Sequence, residues 1–264
     1  MQRFITYLLF VTLLLSTSCA GYYEAARKSN DMDYKYEAAK KFFSEKKFKK
    51  AADIYEDLVL LSQGTPIEDT VNFYTGLSKY RYGDLIAAEA SFDKFITEFP
   101  RSPFTEEAKF LRINCLFNST YRYELDQTPT HKAMVVIGEF LYDNPQSEYY
   151  EKCNEMLKTL QERLDKKSFE GAKLYYTMED YLAAHTALKN VIKENADNVY
   201  REEVLYYTAM ASYKYAENSV VEKQKERYMI FSDDYYNFVG EFPESKHMKE
   251  LTDLFEKVQK YLKN

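Results

Sequence analysis

Few residues in this chain are placed to do chemistry, and the first of them is a cysteine. Cys19 follows an apolar run from Phe4 to Leu15 and three small hydroxyl residues, Ser16, Thr17 and Ser18. Whether a thiol at such a junction is kept as an anchor or lost with the segment before it decides the compartment in which the rest of the chain works. The other two cysteines, Cys115 and Cys153, are either two buried free thiols or a disulfide formed in an oxidising compartment. His131, His185 and His247 stand apart, with none of the spacings that hold zinc, so no metal and no cofactor are expected. His185 follows a packing alanine, Ala184, which points to a structural role. The seven glycines never cluster into a phosphate-binding loop, and acid pairs such as Asp233–Asp234 and Glu202–Glu203 read as solvated helix faces. No catalytic residue is expected.

Binding chemistry is better represented. Aromatic residues recur seven apart, hence on one helical face, as Tyr36 and Phe43, Phe73 and Tyr80, and Phe169 and Tyr176. With Leu77 and Arg81 beside them, they either line a groove for an extended, aromatic-rich peptide or pack against the neighbouring helices. Six lysines, Lys40, Lys41, Lys46, Lys47, Lys49 and Lys50, crowd one short stretch. They form either a solvated helix face or a contact with anionic head groups.

The elements that must position these residues are helical. Gly and Pro are scarce, and 45% hydrophobic with 30% charged residues is a globular balance. The net charge of −6 disfavours a nucleic-acid partner. The apolar run of Phe4–Leu15 would rise only about 18 Å as a helix, too short for a bilayer core of about 30 Å, and suits a secretory signal. Its end resembles the lipobox of bacterial lipoproteins, with Ser16 where Leu is usual. We therefore expect cleavage before Cys19, lipid on its sulfur, and a tether over residues 19–31; cleavage that discards the cysteine is the alternative.

Behind the tether lies a repeat. Phe48, Ala51, Tyr55 and Leu58 align with Leu85, Ala88, Phe92 and Phe95, and the pattern returns at Tyr181, Ala184, Leu188 and Val191. A helix with a small residue, Ala39, Gly76 or Ala172, precedes each, and prolines at 100, 145 and 243 close the pairs. Paired helices of this design resemble the tetratricopeptide repeat. The expected fold over residues 32–264 is all-α, a right-handed α-solenoid of about five helix pairs. Two of these are degenerate, at 104–147 and 201–243, and a capping helix ends the chain.

Relaxed lipobox, short tether, five such units and the stretch "YGDLIAAEASFDKFITEFPRSP" together resemble the YfiO family of outer-membrane lipoproteins. The resemblance implies a non-enzymatic scaffold of the β-barrel assembly machinery on the periplasmic face of the outer membrane. Its implied partners are the barrel-forming subunit BamA, other lipoproteins of the machinery, and unfolded β-barrel substrates. The N-terminal groove would receive a C-terminal strand ending in an aromatic residue. Two other binders fit the layout less closely: a tetratricopeptide lipoprotein of envelope maintenance or division, and a glycan-binding lipoprotein, against which the lack of Trp counts.

Overall fold

The computed structural model describes residues 21–263, so Cys19 and the segment before it lie outside the described residues. Among the described residues there are twelve helices and no strand. They are α1 (21–28), α2 (Met32–Ser44), α3 (Phe48–Leu61), α4 (Glu68–Tyr82), α5 (Leu85–Glu98), α6 (Thr105–Asn118) and α7 (Thr128–Asp143). There follow α8 (Tyr150–Thr177), α9 (Tyr181–Glu194), α10 (Arg201–Glu217), α11 (Val221–Glu241) and α12 (Met248–Lys263).

The chain divides into two compact units. The first holds the described residues to Tyr121 with Thr128–Leu157, the second Arg122–Gln127 with the described residues from Lys158. Within the first, each helix from α2 to α6 packs on the next, α6 packing on α7; within the second, α9 packs on α10, α10 on α11 and α11 on α12. Consecutive pairing of this kind is the architecture of a helical repeat.

The repeat alanines sit where helices cross. Ala39, Ala51, Ala88 and Ala184 are fully buried, and Ala172 nearly so. At Gly76 even a methyl group is excluded, because a Cβ there would stand 2.9 Å from the Phe92 ring. Each clear hairpin turns in the same way. One residue takes a left-handed conformation, Lys46 (φ 58°), Gly83 (φ 94°) or Glu179 (φ 62°), and the next begins the second helix. In two of the three that next residue is an aspartate whose carboxylate caps the helix, Asp84 accepting from the Ala87 N–H and Asp180 from the Ala183 N–H.

Three segments differ from expectation. Residues 21–28, read as tether, form α1, which is packed on the first pair. The Tyr22 and Tyr23 rings each lie 5.8 Å from Phe42, Ala26 is fully buried, and the Tyr23 hydroxyl donates to Asp53 at 2.5 Å. Eight residues are too few to be helical alone, so α1 owes its existence to this surface, which local pattern does not reveal. Its C-terminal end is held by Lys35, 3% exposed, whose ammonium donates to the Arg27 carbonyl at 2.7 Å and lies 3.4 Å from Asp57. The second difference is α8, one helix of 28 residues that begins twenty-two residues before Ala172, whereas α2 and α4 begin seven and eight residues before Ala39 and Gly76. The third is α11, 21 residues long from Val221; at the position that Ala51, Ala88 and Ala184 hold in the clear repeats it carries Phe231, fully buried 5.3 Å from Tyr213.

Candidate functional site

The candidate groove residues are brought together, but mostly as core. Phe73 is 2% exposed and stacks on Phe104, with ring centroids 4.6 Å apart and planes 11° apart. Phe92 and Phe95 close its other sides at 6.2 and 5.8 Å. Leu77 is buried in the same cluster. Phe73 and Leu77 therefore offer no surface to a ligand, which corrects the groove reading at both positions. Phe169 is likewise buried, stacked on Tyr200 at 5.3 Å.

The cover over these rings is a repeated device at the exit from each pair. In the turn after α5, the Ser102 hydroxyl donates to Asp69 at 2.8 Å, and its oxygen accepts the Phe104 N–H. This fixes Phe104 over Phe73, four residues beyond Asp69 on α4. After α7, Ser147 donates to Glu106 at 2.5 Å and seats Tyr149 on Phe110, with centroids 4.2 Å apart. After α11, Ser245 donates to Glu202 at 2.7 Å and seats His247 on Tyr206 at 3.8 Å. After α9, Asn198 takes the serine's place and accepts the Tyr200 N–H, while buried Asp165 accepts the Val199 N–H. The first pair lacks the device. Met32 stands where the acid would be and Ile67 where the ring would be, so Tyr36 stays half-buried.

The second aromatic of each candidate pair serves as a wedge between hairpins. Phe43 meets Phe48 at 5.3 Å and Tyr74 at 5.1 Å, and Tyr176 meets Tyr181 at 5.5 Å and Tyr207 at 5.2 Å, all edge to face. Tyr80 packs part of its ring on the Phe73 cluster. Of the six candidate residues, Tyr36, Phe43 and Tyr80 are half-buried and Arg81 is exposed, so these four retain accessible side chain on the first helices of their pairs.

Two acids read as solvated have partners within the fold. Asp234 is 4% exposed and accepts from His185 Nε2 at 2.7 Å, with Lys189 at 3.8 Å, so the pair ties α9 to α11. Glu202 is the partner of Ser245. The structural role expected of His185 is what this geometry provides. Cys115 and Cys153 are free and fully buried, and burial pushes their thiols up to about 12 and about 11. No group of residues able to hold a metal occurs among the described residues, and none of the described helices is long and apolar enough to cross a membrane. An indentation of about 210 Å³ between α5, α6 and α7, lined by Ile96, Arg112, Ile113 and Phe140 among others, is below the size of small-molecule sites.

Helices paired consecutively in this way within each of the two units define a helical-repeat protein. The sequence profile of the YfiO family, outer membrane lipoproteins, matches residues 28–228, about three quarters of the chain, and the chain belongs to that family. Membership places it at the outer membrane. The outer membrane protein assembly factor BamD of Caulobacter vibrioides is 23% identical over 167 residues, covering 63% of this chain and 53% of that protein. The chain thus spans about half the length of this relative.

Proposed function

We propose that the protein is a non-enzymatic scaffold of outer-membrane β-barrel assembly, held to the periplasmic face of the membrane through an acylated Cys19. The family match over residues 28–228 carries this proposal, and the assembly role named for the Caulobacter relative agrees with it. The partners we infer are a BamA-like barrel subunit, further lipoproteins of the machinery, and unfolded barrel substrates. For the substrate's extended C-terminal strand we propose the accessible remainder of the stripe, Tyr36, Phe43, Tyr80 and Arg81.

The test is affinity purification of the tagged full chain from detergent-solubilised envelopes. Recovery of a BamA-like barrel subunit is expected. Its absence from a sample that recovers peptidoglycan-associated proteins instead selects the envelope-maintenance reading.

A further inference from the structure

The turn between α2 and α3 is charged in a way that folding alone does not favour. Residues 37–50 hold six lysines against Glu37 and Glu45, a local net of +4 in a chain of net −6. The equivalent turns place Gly83 or Glu179 at the left-handed residue and aspartate at the cap. Here the two positions are Lys46 and Lys47, the α3 N-terminus has no side-chain cap, and its first turn carries Lys49 and Lys50. A cap without an acceptor forgoes roughly a factor of five in helix stability, and cations in a first turn oppose the helix dipole. Lys46 and Lys49 are exposed; Lys41 and Lys50 are seated over tyrosine rings of α1, Lys41 4.7 Å from Tyr22 and Lys50 5.0 Å from Tyr23.

Those rings show where the chain enters. The start of α1 lies against the end of α2, Tyr22 contacting Phe42, so Gly21 is beside the lysine-bearing turn. Two peptide units separate Gly21 from Cys19, at most about 7 Å of chain. A lipid on Cys19 therefore holds the bilayer close to this turn.

We propose that the α2–α3 turn is an electrostatic footing on anionic phospholipid head groups, flanking the point of anchorage; this rests on the lipid-anchor reading above. Charge complementarity and the position of the chain end both select a lipid surface as its occupant. Each lysine near an anionic surface contributes roughly fivefold to partitioning.

The test uses the chain from residue 19 carrying Cys19→Ser, which retains every described residue. It is sedimented with phosphatidylethanolamine vesicles containing either phosphatidylglycerol or phosphatidylcholine. Binding is expected only with phosphatidylglycerol, weakening as salt rises. Lys46→Gln with Lys49→Gln should lower it about tenfold or more at unchanged helical circular dichroism, while Lys257→Gln with Lys260→Gln leaves it in place. Equal binding to both vesicles, no binding, or an unaffected Lys46/Lys49 variant overturns the proposal. Capture of acidic proteins in place of vesicles overturns it too, and assigns the lysines to a protein partner. Acylation is read separately, by incorporation of labelled palmitate at Cys19; its failure removes the anchor and leaves the vesicle result to be judged alone.

Discussion

Phe73 lies among three aromatic rings brought by α5 and the turn after it, in a cluster that α6 completes with Ala108 and Leu111. Removing its ring leaves a cavity walled by Phe92, Phe95 and Phe104. Phe73→Ala is therefore expected to cost about 3–5 kcal/mol, read as a lowered urea midpoint at unchanged slope. Tyr80→Ala, at a half-buried ring, should cost clearly less, so weakened crosslinking of that variant to a peptide with an aromatic C-terminus would report binding and not unfolding. The spacing of Phe73 and Tyr80 was legible in the sequence, and so was their common face. Which face was not, because the ring that covers Phe73 arrives from a turn thirty-one residues on, and its seating depends on Ser102 and Asp69. A one-helix pattern cannot distinguish a groove from a surface closed by its neighbour.

At the scale of elements, hairpins were legible and their fastenings were not. Small residues at crossings, polar turns and exit prolines locate most of the helices. The missed α1 and the early start of α8 lack that punctuation, and α1 depends on a surface built by α2 and α3. Among the fastenings, Arg201 at the start of α10 donates from Nε and a terminal nitrogen to Glu241 at the end of α11, at 2.6 and 2.8 Å. That bond holds the Glu241 carboxyl below its ordinary range. A carboxyl lowered on folding stabilises the fold above its unfolded value, and the gain is lost as pH falls through the lowered value. Glu241 is 40% exposed, so screening keeps the gain below about 1 kcal/mol. Thermal melts should show Glu241→Gln slightly less stable than the parent near neutral pH, the two converging in acid.

At the scale of the molecule, the first unit carries its own reporters. With Cys19 replaced by Ser, Cys115 and Cys153 are the remaining thiols, both buried and both raised by that burial. They should be silent to Ellman's reagent near neutral pH while the unit is closed, and both should react in guanidinium. Prompt reaction in the native state would show that α6 or α8 opens on its own. The exit device has a consequence for construction. Phe73 to Phe104 and Phe169 to Tyr200 each span thirty-one positions, whereas Phe110 to Tyr149 spans thirty-nine and Tyr206 to His247 forty-one. Within the longer spans, part of the added chain is the loop after α6 and the early turns of α11, on the hairpin side, while the serine-to-ring step stays two residues long. An epitope or reporter grafted into this protein thus has its port in the turn before α11, where Val220 and Val221 are exposed, and would unseat a ring if spliced into 100–104.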